Sequence, residues 1–497
     1  MPKIIIIGGG IAGLSAGIYA RKCGFECEIH EKHFKVGGEC TGWERKGYHI
    51  DNCVHWMTGT SPSSDIHETW CKVHALGKDV EIIQNPSFLS VEYNGQKLEL
   101  WQDLNRLRQD MLTISPEDAK EIEKFVANIK LYQSVILPAN KPLEQYSIWE
   151  LFSLIKSMFA VGRIHKEYSR MSMRTYSQKF KHPLLQKMIL SYMPKTYNIS
   201  SFFYVLGTFS SGNGALPKGG STGITDRMSA LYTELGGKTF CKKEAVSIDI
   251  DKFKAKRVIF KDGTTAEGDF IICACDASVV FEKLLGKKHL DKYFKLHFFH
   301  KHKHPVYSSF NAYIGVNDSK LRMSDTTWFE GKKFDVCNKK CNSFLLKYYG
   351  TEPNFSPEGK SLLQALLVQY EDDFEYWKSL YTNNIDAYKQ AKLRIAQSII
   401  SNIEEHYPEL KGKLEIIETV TPMSFNRLCG AYKGAYMSFI LTPFAKKKIH
   451  KGHLRYIKNV YLAGQWLQPP GGLPNAVVTG KFVIQRICKK EGLKFVQ

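Results

Sequence analysis

Four consecutive isoleucines, Ile4 to Ile7, run straight into Gly8, Gly10 and Gly13 at G-x-G-x-x-G spacing, and nothing else in the chain restricts its fold as strongly. An unbroken β-branched run forms a strand buried on both faces, as in the middle of a parallel sheet. Gly8 permits the tight turn off that strand. Gly10 carries no side chain to hold the backbone away from a pyrophosphate, and Gly13 lets the following helix pack closely on the sheet. The spacing predicts a helix from Ile11 to Cys23, with Ile11, Leu14 and Ile18 on one face and Gly24 as C-cap. Its first turn, Ile11 and Ala12, offers free N–H groups and the positive end of the helix dipole, which suits a diphosphate. Phe25 to His30 then alternates as a second strand, and Glu31 follows eighteen positions after Gly13 (31 − 13), with Lys32 beside it. An acid there accepts both hydroxyls of an adenosine ribose and repels a 2′-phosphate, which leaves FAD or NAD as the nucleotide.

The bulk composition bounds the rest. A chain of 497 residues exceeds one compact core, so two or three domains are expected. With 69 Lys+Arg against 49 Asp+Glu, the net charge is +20, a field that attracts anions such as phosphate cofactors or acidic lipid headgroups. No nucleic-acid motif accompanies it. The twelve cysteines form no C-x-x-C pair and point to reduced thiols in a reducing compartment. The first strand begins at residue 3, which leaves no room for a signal peptide, and no stretch approaches eighteen apolar residues. The expected location is cytoplasmic, with peripheral contact at the cytosolic membrane face as a further option.

Beyond Glu31 come Gly37-Gly38-Glu39-Cys40-Thr41, a strand from Tyr48 to Asp51, and His55-Trp56. The paired glycines again allow backbone N–H groups close to a phosphate. Further on stand Phe180-Lys181-His182-Pro183, Leu216-Pro217-Lys218-Gly219-Gly220 and Thr421-Pro422-Met423-Ser424-Phe425-Asn426-Arg427. Near the end, Val460-Tyr461-Leu462-Ala463-Gly464-Gln465 leads to Gly471-Gly472-Leu473-Pro474-Asn475-Ala476, with a helix to Cys488 that starts at Pro474. This set resembles the flavin-dependent phytoene desaturase group, which includes carotenoid isomerases and retinol saturases and belongs to the amine-oxidase-type flavoprotein superfamily. One departure stands out: Glu39 occupies the position where many members carry Arg.

The resemblance implies an α/β fold: a Rossmann-type FAD-binding domain (GR2-like flavoprotein) with an inserted α+β substrate domain and a helical cap. The expected divisions are 1–75, 215–288 and 451–497 for the FAD-binding domain, 76–214 for a mainly helical cap, and 289–450 for a substrate domain of sheet and helices. It also implies that the backbone of Val246 contacts the adenine, that Gly464 approaches the cofactor, and that Gln465 faces the ribityl chain. Gly472, Leu473 and Ala476 would present a helix N-terminus to the flavin, where it stabilises negative charge on the reduced ring. His55 and Trp56 are the residues expected to face that ring, His55 as a proton carrier near neutral pH or as a structural histidine. Trp466 is a candidate cavity wall, and Arg427 a candidate partner for an internal carboxylate. The Thr421–Arg427 segment is expected as a strand.

Only one dinucleotide fingerprint is present, because the glycines from Gly207 to Gly223 lack the strand and helix around them. A reductase with separate FAD and NAD domains is therefore disfavoured, and the activity that the resemblance implies is FAD-dependent oxidoreduction of a lipophilic alkene or polyene by desaturation, cis–trans isomerisation or saturation. The external electron acceptor or donor is not specified. An amine-oxidase-like enzyme and a non-catalytic lipid binder are the alternatives on the same scaffold. Ser147 to Gly162 is apolar and flanked by Lys156, Arg163 and Lys166. A core helix of the cap is the first expectation for it, and a helix lying on anionic membrane the second. His300, His302 and His304 alternate as on one exposed strand face, and no metal site is expected there.

Overall fold

The computed structural model describes residues 2–445 and 448–497. Its organising layer is a five-stranded parallel sheet in the order Lys238–Phe240, Glu26–His30, Lys3–Ile7, Phe270–Cys273, Val460–Leu462. The isoleucine strand lies at its centre, and Ile4, Ile5 and Ile6 are fully buried. The first helix, Ile11–Lys22, ends one residue before its expected limit. It packs on the last helix, Leu473–Glu491, where Ser15 Oγ donates to the Val477 carbonyl at 2.7 Å. The two ends of the chain thus build one layer, with the strand from residues 270–273 between them.

The second body is a seven-stranded sheet ordered Leu414–Val420, Ser308–Val316, Ser361–Gln369, Lys339–Tyr348, Thr326–Val336, Ser87–Tyr93, Gln96–Trp101. Its last two strands fall in the stretch expected to be mainly helical. They join the sheet because Ser87–Tyr93 pairs in parallel with Thr326–Val336, a contact across more than two hundred residues that local periodicity does not announce. Side chains alternate between faces along these strands. One face carries Phe310, Ala312, Ile314, Ala365 and Leu346 and packs on the Ile385–His406 helix through Ala391, Ile395, Ile399 and Ile403. The other face carries Tyr313, Gln364 and Lys347, cross-strand neighbours that look toward the nucleotide layer.

A helical layer, in which Ile122, Phe125 and Ile129 pack on Phe202 and Phe203, shares a core with the last two strands of the large sheet. His182 caps the Pro183–Leu190 helix through its side chain, which accepts from Leu184 N–H. Ser147–Gly162 forms not one helix but two, Ile148–Ser157 and Phe159–Tyr168, hinged at Met158. No residue of the first is buried, so the expected core helix is absent. Two further expectations change. Thr421–Arg427 belongs to a helix, Pro422–Cys429, because Thr421 forms a capping box with Ser424 and Pro422 takes the first helical position. The histidine segment is no strand: His297 ends a helix, Lys292–Phe299, and His304 folds back so that the two rings lie 4.3 Å apart. No helix among the described residues is long and apolar enough to cross a membrane.

Candidate active site

The glycine turn behaves as its spacing requires. Gly8 has φ +103°, and a side chain at Gly13 would drive into the Gly8 carbonyl oxygen. Gly10 caps the first helix with no side-chain hydrogen bond, which leaves the N–H groups of that turn available. Gly37 pairs with it: Gly37 N–H donates to the Gly9 carbonyl at 2.9 Å, and the Gly38 backbone packs against Gly10. Glu31 is buried, its carboxylate accepting from Gly9 N–H at 2.7 Å and His33 N–H at 2.8 Å. Each oxygen keeps a second lone pair for a ribose hydroxyl. Lys242 and Lys243 donate backbone bonds to His33 and Glu31, so the segment leading into Val246 borders the ribose end. Val246 itself is bulged out of its ladder and partly exposed.

Both chain ends reach one point. Gln465 Nε2 lies 3.3 Å from Glu39 Oε2, while Gln465 Oε1 accepts from Gly472 N–H at 3.0 Å. Gly472 heads the last helix without a side-chain cap, ahead of Leu473 and the buried Ala476. A Cβ added at Gly464, whose φ is +130°, would meet nothing within 4 Å. Two uncapped helix N-termini, side-chain-free backbone at Gly10, Gly38, Gly464 and Gly472, and the acid at Glu31 together fit a dinucleotide. Glu39 is not a cationic anchor. Burial, and then the neighbouring Asp276, push its carboxyl up to about 8, so it is protonated at neutral pH. Burial also raises Asp276, to about 6, although Ser278 and the Tyr432 N–H bond to it. Thr41 holds this loop through its backbone, donating to the Glu39 carbonyl and accepting from Asn52 N–H. Lys32 turns away, to the Arg427 carbonyl at 3.1 Å.

Asp51 explains the Pro217–Gly220 turn. Its carboxylate accepts from Ser221 N–H and Ser221 Oγ, each at 2.6 Å, and a side chain at Gly220 would collide with it. The following loop, from Asn52 to Trp56, is clamped by the open face of the large sheet. The Tyr313 and Tyr349 hydroxyl oxygens each lie 3.1 Å from the Asp51 carbonyl oxygen, and Lys347 Nζ approaches the Val54 carbonyl at 3.4 Å. His55 Nε2 lies 3.0 Å from Gln364 Oε1, and Trp56 Nε1 donates to the Tyr192 hydroxyl at 2.9 Å. Cys53 of this loop lies within electrostatic reach of Glu39, and His55 and Trp56 at its end line a partly enclosed cleft. Lys347, Gln364 and Leu366 form its floor, His55, Trp56 and Phe88 are in its wall, and Asn85 and Asp325 stand at its side.

Burial and the Lys347 charge hold His55 down to about 3. It is therefore neutral near pH 7, with Nε2 engaged by Gln364. Trp466 does not line the cleft; it packs in the core against Phe439, with ring centroids 4.9 Å apart. Arg427 is exposed, and among the described residues it pairs with no carboxylate. Lys347, Gln364, Tyr313 and Asp325 escaped sequence reasoning. Their one visible signal is a polar residue inside an apolar strand run, as in Leu345-Leu346-Lys347-Tyr348 and Leu362-Leu363-Gln364-Ala365.

Comparison with known proteins adds a family-level context. Residues 6–72 match the NAD(P)-binding Rossmann-like domain family. The 1-hydroxycarotenoid 3,4-desaturase of a Flavobacterium sp. is 23% identical, over 98% of this chain and 99% of its own. The lycopene-forming phytoene desaturase of a Paracoccus sp. is 22% identical, over 97% and 96%. The chain is similar to these carotenoid desaturases along nearly its whole length. A solved structure of a putrescine oxidase variant aligns over 98% of this chain and 99% of its own, with a TM-score of 0.63 at 11% identity, a likeness of fold. Both agree with a Rossmann-type layer bearing an inserted sheet.

Proposed function

We propose that this protein is an FAD-dependent oxidoreductase acting on a lipophilic alkene or polyene. The observation that carries this reading is the Asn52–Trp56 loop, which runs from Cys53 near Glu39, the partner of Gln465, to His55 and Trp56 in the lining of the cleft over the large sheet. FAD, when bound, exchanges hydride at its N5 position. Gly10, Gly37 and Gly38 would hold its diphosphate, Glu31 its adenosine ribose, and Gly464, Gln465 and Gly472 its ring end. The protein's own part is placement and dryness. Trp56, tied to Tyr192 and set edge-on to Phe88 at 6.1 Å, walls the cleft with rigid aromatic surface. His55 orients the group next to it through the Gln364 bond without changing charge.

Anaerobic photoreduction of the purified protein, followed by a screen of polyenes, retinoids, unsaturated fatty acids and amines, tests the reading. A yellow protein whose reduced flavin is reoxidised by an alkene identifies saturation. Bleaching of the oxidised flavin by a polyene identifies desaturation, and change of polyene geometry without net flavin turnover identifies isomerisation. Bleaching by amines alone overturns the reading.

Delivery of such a substrate would fall to the Ile148–Tyr168 helix pair, docked on anionic membrane. Ile148, Phe152, Ile155 and Phe159 recur at helical spacing and are 63–83% exposed, with Trp149 beside them at 81%. Arg163 and Lys166 follow on the second helix. Vesicle sedimentation at low and high salt tests this: binding to anionic vesicles at low salt is expected, and its absence removes the proposal.

A further inference from the structure

We propose that the cleft beside the Asn52–Trp56 loop receives the hydroxyl-bearing end of the substrate chain, so that the molecule acted on is an oxygenated alkene and not a plain hydrocarbon. This rests on the flavoenzyme reading above and narrows its substrate class. The starting observation is Lys347. It is 3% exposed, lies on the cleft floor, and makes one long contact, 3.4 Å to the Val54 carbonyl. Among the described residues no carboxylate oxygen comes within 4.0 Å of its ammonium group; the nearest charged help is from Asp325, Asp51 and Glu352 at longer range, and the Tyr349 ring lies 4.9 Å away. A buried ammonium with its donors unfilled is costly, and a chamber meant for a bare hydrocarbon has no use for one.

The cleft is also not built for an anion or a cation. Asp325 shares it, one oxygen held by Asn85 Nδ2 at 2.9 Å and its acidity weakened by burial. A carboxylate group would face Asp325 and an ammonium group would face Lys347. A hydroxyl meets both: it accepts from Lys347 Nζ and donates to Asp325. The Gln364 carbonyl oxygen is already engaged, 2.8 Å from the Tyr349 hydroxyl and 3.0 Å from His55 Nε2, and one of its two amide N–H groups donates to Tyr313, so Lys347 and Asp325 are the cleft groups with the most unfilled capacity. The rest of the lining near Trp56, Phe88 and Leu366 is apolar, which suits the chain that carries the hydroxyl.

Equilibrium binding to the purified flavin-loaded protein tests this, with geranylgeraniol, its deoxy hydrocarbon, the corresponding acid and the corresponding amine as probes, read by tryptophan quenching. The alcohol is expected to bind about tenfold or more tighter than the hydrocarbon, because a site built to hydrogen-bond a hydroxyl leaves its own polar groups unpaired without one. Lys347→Met should reduce that preference to about threefold or less, by weakening the alcohol and sparing the hydrocarbon. Asp325→Asn gives a second variant with the same expected direction, and the wild-type comparison stands even if neither variant folds. Equal binding of alcohol and hydrocarbon, no binding of either, tighter binding of the acid or the amine, or an undiminished preference in K347M overturns the inference. Flavin absorbance of the same samples separates the two readings. A flavin-bearing protein without the preference defeats only the hydroxyl, and a colourless protein that keeps the preference defeats only the flavoenzyme.

Discussion

Glu39 is where a single residue changes most. A carboxyl raised to about 8 keeps its proton in the folded protein at pH values where the unfolded chain has already released it. Between about pH 4.5 and 8 the native state therefore binds more protons than the unfolded state, so its contribution to stability is complete at the acid end and is lost as pH rises through about 8. Glu39→Gln is neutral throughout. Thermal unfolding of both proteins from about pH 5 to 8 should show wild type losing ground to E39Q as pH rises, by at least ~1 kcal/mol, since one pK unit is worth ~1.4 kcal/mol. Parallel curves would mean that Glu39 ionises freely. Gly13 supplies a second expectation at this scale. Gly13→Ala places a methyl group on the Gly8 carbonyl oxygen, so the turn and the helix must separate. Overpacking of this kind costs ~1–3 kcal/mol, and flavin absorbance per protein should fall with it.

Among elements, the Ile148–Ser157 helix is the clearest case of a side chain with no job in the fold. Phe152→Asp or Ile155→Asp changes an exposed position, so unfolding temperature should stay within the usual surface range of about ±0.5 kcal/mol. Binding to anionic vesicles should fall at least tenfold, since each buried apolar side chain is worth roughly 1.5–3 kcal/mol. A stable variant that still sediments with vesicles would assign the docking elsewhere. The same element shows what sequence could and could not convey. Its helical spacing is plain, yet the side it shows to solvent depends on packing partners far along the chain. The Gly8–Gly13 turn and the Tyr48–Asp51 strand were legible because their signals are local: glycine spacing and alternation. The Thr421–Arg427 helix was missed because the strand implied by the resemblance was set above the local Thr-Pro helix-start signal. The strand pair at residues 87–101 was missed because sheet membership is settled by distant pairing. Lys347 was hidden for the same reason: its strand looks like any apolar run until Gln364 and the Val54 carbonyl arrive beside it.

At the scale of the whole molecule, the cradle has no local owner. Gly10 comes with the first helix and Gly472 with the last, and what keeps them in register is the packing of those helices along their length. Gly480 sits at the tightest point of that contact: a Cβ there would stand 2.5 Å from the Ala12 carbonyl and 2.8 Å from Ser15 Cβ. It belongs to no glycine motif and lies two helical turns past Gly472, so a valine at this position leaves every proposed cofactor contact chemically intact. Gly480→Val must nevertheless push the last helix off the first, breaking the bond from Ser15 to Val477 and pulling Gln465 away from Glu39. Flavin should then be lost on gel filtration from G480V while wild type retains it, with excess added FAD restoring part of the thermal stability by mass action. Ile395→Ala is the control, on the far face of the large sheet. It should cost ~2–5 kcal/mol as a buried truncation and leave flavin retention unchanged below its own unfolding temperature. If G480V holds flavin as wild type does, the two chain ends are not what shapes the cradle; if I395A loses flavin equally, the two sheets unfold as one unit and the cradle draws its rigidity from both.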